Sequence, residues 1–108
     1  MAYLGMTTIL VDDYDAAIEF FIDALGFELV EDTAATSNAG NPKRWVVVRP
    51  AGAETGILLA QADGERQRAR LGDQLGGRVG HFLHVDDFGA QYERMRSHGV
   101  VFDEQPRH

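Results

Sequence analysis

Cysteine is absent from this 108-residue chain. That removes a disulfide framework, a thiol nucleophile and a cysteine-ligated zinc site together. It also fits the cytoplasm, the location expected here. Long apolar runs are missing too, since none approaches the ~18 residues a membrane span needs. The opening MAYLGMTT has neither the basic start nor the apolar stretch of a signal peptide. Positive charge is scarce: 10 Lys and Arg against 17 Asp and Glu leave a formal charge of −7. Such a surface repels nucleic acid and anionic lipid, and the short clusters Lys43-Arg44 and Arg66, Arg68, Arg70 do not reverse it. Neither class is an expected partner. The glycines of GDQLGG (72–77) lack the strand-to-helix setting of a phosphate loop, and no Ser or Thr has an evident base beside it.

The composition, 44% hydrophobic and 25% charged, is that of a globular chain long enough for one domain. Residues 5–12 (GMTTILVD) are rich in β-branched and aliphatic side chains and read as a strand. In DYDAAIEFFIDALG, which follows, Tyr14, Ala17, Ile18, Phe21, Ile22 and Leu25 recur at helical spacing. An Asp caps the start, and Gly26 takes the left-handed exit cheaply. A second strand is expected at 27–31 and a polar loop at 33–43. A third strand covers 44–49 and a fourth 55–62. Residues 63–77 are polar and read as a connector with a short exposed helix.

The opening pattern then returns. Residues 78–86 (RVGHFLHVD) read as a strand, and Val85-Asp86-Asp87-Phe88 matches Val11-Asp12-Asp13-Tyr14. A shift of 74 positions also pairs Ala16 with Ala90 and Glu19 with Glu93; with one residue deleted, Gly26 falls on Gly99. A second helix is expected over 88–98, with Phe88, Tyr92 and Met95 on one face, and a further strand from Val100. The chain thus reads as one α+β domain of two βαβββ-type units: 1–62, a connector at 63–77, and an incomplete unit at 78–108. Each unit covers one sheet face with a helix and leaves the other bare, so two units side by side form a curved sheet with helices outside and a trough within. Concave, mostly apolar surfaces are where small molecules bind.

The stretches ILVDDYDAAIEFFIDALGFELVED and FLHVDDFGAQYERMRSHGVVF resemble the vicinal-oxygen-chelate superfamily, which holds glyoxalase I, bleomycin-resistance proteins and extradiol dioxygenases. The resemblance spans nearly the whole chain. It implies the fold, a homodimer and a small-molecule ligand, and it leaves the reaction open. Family members complete the second unit with two further strands, so a tail beyond His108 is expected, with completion by a second chain as the alternative.

Family enzymes chelate a divalent metal from the first strand of each unit and from later strands. The resemblance puts Met6 and Gly80 in two of those slots and the apolar Ile57-Leu58-Leu59 at a third, where imidazole or carboxylate is wanted. No cofactor is therefore expected, and a divalent metal enters only if the chain is a lyase, isomerase or dioxygenase of this fold. His81 and His84 cannot share an ion, because residues an odd number apart on a strand face opposite ways. Parity with Gly80 turns Phe82 and His84 to the trough and His81 to the helix. On the other wall Met6, Thr8 and Leu10 share a face, and Trp45, the one tryptophan, could stack on an aromatic ligand. The expected ligand-binding set is Met6, Thr8, Leu10, Trp45, Phe82 and His84. Asp12, Asp13, Asp86 and Asp87 are read as helix caps. Phe20, Phe21, Tyr92 and Met95 are read as packing. His98 suits the dipole of its helix end, and the terminal His108 is given no role. The leading reading is metal-independent binding of an amphipathic or aromatic compound; an enzyme of the same fold and a ligand-free assembly domain are the alternatives.

Overall fold

A computed structural model describes residues 1–102 of the chain. The elements run β1 (Met6–Val11), α1 (Tyr14–Glu19), a π-helical segment (Phe20–Ala24), β2 (Glu28–Thr36), β3 (Pro42–Arg49), β4 (Gly56–Gln61), α2 (Glu65–Arg68) and α3 (Phe88–Ser97). The four strands form one mixed sheet of order β1-β4-β3-β2, with β1 parallel to β4 and the other pairs antiparallel. This is the βαβββ arrangement, α+β in class, with α3 of the second unit docked beside it.

Alternation along the strands divides the sheet into two faces. Val46 and Val48 pair with Leu59 and Ile57, and Ile9 pairs with Leu59. These residues face the helix and pack with Tyr14, Phe21 and Phe27. Leu59, Val46 and Val48 are 0% exposed and form the centre of the core. Asp13 is the N-cap of α1, accepting at Oδ1 from Asp15 N–H at 3.2 Å. Asp87 does the same for α3 through Ala90 N–H at 3.0 Å. The capping reading of these two carboxylates holds.

The first helix is not one regular α-helix. From Phe20 it widens, and Leu25 N–H donates to the Phe20 carbonyl at 3.1 Å, five residues back. The wide turn buries Phe21 and Ala24 and leaves Phe20 half-exposed, edge-on to the Phe21 ring. Phe20 is thus only partly the packing residue expected.

The carbonyls at the end of this segment are taken up by α3. Gln91 Nε2 donates to Leu25 O at 2.9 Å, and Arg94 donates to Asp23 O at 3.0 Å and Ile22 O at 3.3 Å. A cation at a helix C-terminus is also favoured by the dipole. Gly26 sits between, with φ +79; a Cβ there would lie 3.2 Å from the Arg94 guanidinium carbon. Both its backbone angle and the close approach of Arg94 call for glycine.

Three expectations are corrected. The polar stretch 33–43 is a long hairpin rather than a loop: β2 runs to Thr36 and β3 starts at Pro42. Its tip is closed by Ser37 N–H to Asn41 O at 2.8 Å and Asn41 N–H to Ser37 Oγ at 3.0 Å. The arms are solvent-facing, so polar composition there reported exposure and not loss of pairing. Residues 78–86, expected as a strand, join no ladder. β1 is held by β4, the last strand of its own unit, and the described residues supply no such neighbour for the copy. For the same reason 100–102 form no strand, and their continuation, like His108, lies outside the described residues.

Truncating the central core residue tests this packing. Leu59→Ala should cost roughly 2–5 kcal/mol in urea unfolding, by lost transfer energy plus a cavity; a cost below about 1 kcal/mol would mean the core is centred elsewhere.

Candidate ligand-binding face

The sheet face turned away from the helices carries Met6, Thr8 and Leu10 on β1, Leu58 and Ala60 on β4, and Lys43, Trp45 and Val47 on β3. The pairings Thr8↔Leu58, Leu10↔Ala60, Val47↔Leu58 and Thr33↔Trp45 fix this assignment. Met6 is 43% and Trp45 36% exposed. β2 adds Glu31 and Thr33, opposite Val47 and Trp45, so the sheet side that should line a hollow is mostly apolar with a few polar groups, and open to solvent.

The sheet also forks. β1 and β4 stay paired to Gln61, and β2 and β3 stay paired from Thr36 and Pro42, yet β3 and β4 share only the pairs from Val48↔Ile57 to Val46↔Leu59. Beyond Leu59 the two halves part, and a cavity of about 330 Å³ opens between them. Trp45, Leu58 and Ala60 line it from the open face, with Tyr14 on the helix side and Lys43 and Asn41 toward the hairpin tip.

Tyr14 and Arg44 brace the fork. The Tyr14 hydroxyl accepts from Arg44 N–H at 3.3 Å, and the Arg44 guanidinium lies 5.1 Å from the Tyr14 ring centre. That guanidinium donates to Asp32 through Nη2 at 2.6 Å and Nε at 3.0 Å, and to Asp15 through Nη1 at 2.9 Å. Charge-assisted forks of this kind hold a side chain in one orientation. Hydrogen bonding from Arg44 depresses the Asp32 carboxyl below the ordinary range, and the two carboxylates raise the guanidinium in turn.

Of the expected binding residues, the structure brings Met6, Thr8, Leu10 and Trp45 to one face. Phe82 and His84 are not brought to it by any ladder. Phe82 is 77% exposed. His84 lines shallow hollows, one with Asp87 and Arg94 and one with Phe27 and Pro50. Strand parity gave these two residues their direction, and no strand forms at 78–86. His81, expected under the helix, is exposed beside Thr8 and Gln74. Gly80 lies against Leu75, whose Cδ1 would stand 2.8 Å from an added Cβ. Sequence reasoning missed Tyr14, Lys43, Arg44 and Leu58. Alternation of Lys43, Trp45 and Val47 against Arg44, Val46 and Val48 was the available signal for the β3 residues.

Met6 and Gly80 offer no imidazole or carboxylate in the slots where the resemblance puts metal ligands, and Ile57–Leu59 carries only aliphatic side chains. Among the described residues no three His, Asp or Glu side chains are grouped to hold an ion. The residues present do not fit the family's metal.

A family model for the glyoxalase/bleomycin resistance protein/dioxygenase superfamily matches residues 3–108. The chain belongs to this superfamily. It is 44% identical over 100 residues to an uncharacterized protein of Shewanella frigidimarina (strain NCIMB 400), covering 92% of this chain and 72% of that one. Among solved structures, UcmS2 superposes with TM-score 0.77 at 33% identity, over 100% of this chain and 83% of its own. TnmS3, an antibiotic binding protein from Streptomyces sp. CB03234, shares the fold with TM-score 0.71 at 24% identity, over 100% of this chain and 79% of its own. Within the described residues no helix is long and apolar enough to cross a membrane.

The Arg44 brace has a pH signature. Because the folded Asp32 carboxyl is depressed, its contribution is present above its unfolded pKa, about 3.9, and is lost as pH falls through the folded value. Acid unfolding of wild type against Asp32→Asn should show the difference shrinking below about pH 4; curves that stay parallel to pH 2 would contradict the assignment.

Proposed function

We propose that the chain binds a small planar or amphipathic organic molecule on the open sheet face, without a metal. The observation that carries this reading is the solvent-open, mostly apolar face that carries Met6, Thr8, Leu10, Trp45 and Leu58, of which Trp45 and Leu58 also line the cavity at the fork. A single half-exposed indole among aliphatic side chains gives a flat ligand both area and a stacking partner. Membership of a superfamily that includes bleomycin-resistance proteins supports the reading, and the antibiotic-binding TnmS3 shows that the same fold can hold an organic ligand. Phe82 and His84 belong to this proposal as ligand contacts offered by the 78–86 stretch, as does the division into units 1–62 and 78–108 about the 63–77 connector.

A second copy is part of the same reading. Val79, Phe82, Leu83 and Val85 are exposed, and Leu83 and Val85 border an apolar hollow of about 320 Å³ on α3 with Phe88, Tyr92, Met95 and Phe102. Exposed apolar side chains gathered on one side of a small domain favour association. A homodimer closes the trough from the other side, and sedimentation at micromolar concentration should give twice the mass of one chain. A monomer at that concentration removes this part of the proposal.

Because Trp45 is the one tryptophan, its emission reports directly on the site. Titration with a panel of planar aromatic compounds should shift or quench it saturably, and a metal chelator should leave the dissociation constant unchanged. Trp45→Ala should weaken binding roughly 3- to 10-fold, read by calorimetry, in line with a stacking contribution of about 0.5–1.5 kcal/mol. Binding that vanishes with the chelator, or that is indifferent to Trp45, would contradict the proposal.

A further inference from the structure

We infer that Lys43 is the anion-recognising residue of this face, and that its ligand is a planar aromatic compound bearing one acidic group. The inference rests on the binding role proposed for the Trp45 face and specifies the class of ligand. Lys43 is the sole lysine of the chain. It stands two residues before Trp45 on β3, on the same face, so the two side chains start about 7 Å apart along the strand. A ring laid on the indole and an acidic group at the ammonium span that distance.

The charge pattern singles this residue out. Arg44 is committed to Asp15 and Asp32, Arg49 to Glu28, Arg70 to Asp73 and Arg96 to Glu93. Arg94 is spent on the carbonyls of Asp23 and Ile22. Among the described residues no carboxylate oxygen lies within 4.0 Å of the Lys43 ammonium. Arg66, Arg68 and Arg78 also lack such a partner, but none of them lines the cavity that holds Trp45. Asp63 is the one carboxylate lining that cavity; it follows β4 on the opposite side of the fork and does not pair with Lys43.

The surroundings of Lys43 suit an oxyanion. Ser37 and Asn41 line the same cavity at the hairpin tip. The Ser37 hydroxyl accepts from Asn41 N–H, which leaves its own proton to donate. In a chain of net charge −7, and with Glu31 opposite Val47 on the same face, the general field disfavours anions, so an acidic ligand gains here through the Lys43 ammonium at the other end of β3 and the stacking beside it.

A matched pair of dyes isolates the charge. 8-Anilinonaphthalene-1-sulfonate and N-phenyl-1-naphthylamine share their ring system and differ by the sulfonate. Their dissociation constants, from dye emission at low salt, are compared in wild type, Lys43→Gln, Lys43→Arg and Trp45→Leu. Lys43→Gln should weaken the sulfonate about 5- to 10-fold and leave the neutral amine within twofold; Lys43→Arg should keep most of the sulfonate affinity. Trp45→Leu should weaken both dyes. Equal behaviour of the two dyes in Lys43→Gln overturns the role of Lys43 while leaving the Trp45 face intact. If Trp45→Leu changes neither dye, both sit elsewhere and the binding face itself is overturned. Lys43 is exposed, so unchanged thermal melts of its variants are expected and exclude misfolding as the cause.

Discussion

Three antiparallel residue pairs join the two halves of this sheet. Val46, Val47 and Val48 against Leu59, Leu58 and Ile57 are the only ladder joining the β1/β4 half of the sheet to the β2/β3 hairpin among the described residues. The same pairs supply the fully buried centre, Leu59, Val46 and Val48, on one face and the apolar floor, Val47 and Leu58, on the other. Core and floor are therefore two sides of one short seam. Where the seam ends, the halves separate, and the cavity exists because the pairing is no longer than it is. At the edge of that opening Tyr14 and Arg44 tie the start of α1 and Asp32 of β2 to the first residues of β3.

Much of the first unit was legible residue by residue. GMTTILVD, the Asp13 cap, the Tyr14-to-Leu25 stripe and the strands around Val46 and Leu58 each carry a local physical signal that the structure follows. The failures share a cause. The π-turn at Phe20, the hairpin at 33–43 and the unpaired 78–86 stretch all depend on what lies across from them, which no local pattern records. The site divided the same way. Met6, Thr8, Leu10 and Trp45 could be placed by strand parity because β1 and β3 are strands. Phe82 and His84 were given a direction by the same rule where no strand forms. The fork was illegible, since it is set by how far two ladders extend.

Superfamily membership explains the scaffold but not the chemistry at its centre. In the slots where relatives with a metal need oxygen or nitrogen donors, Met6 presents a thioether and Gly80 presents no side chain. Among the described residues the face carries an indole, aliphatic side chains, the hydroxyls of Thr8 and Thr33, the Glu31 carboxylate and the Lys43 ammonium. Such a surface can select a ligand by shape, stacking and charge.

The junction between α3 and the first unit has one further property. Gln91 and Arg94 reach across to the oxygens of Ile22, Asp23 and Leu25, and those oxygens belong to the main chain. A docking contact written on one side in backbone is blind to which residues carry it. Asp23 can be exchanged for another helix-compatible residue without unlatching α3, whereas Ile22 and Leu25 are held to apolar side chains by the core beneath them and Gly26 to glycine by its backbone angle.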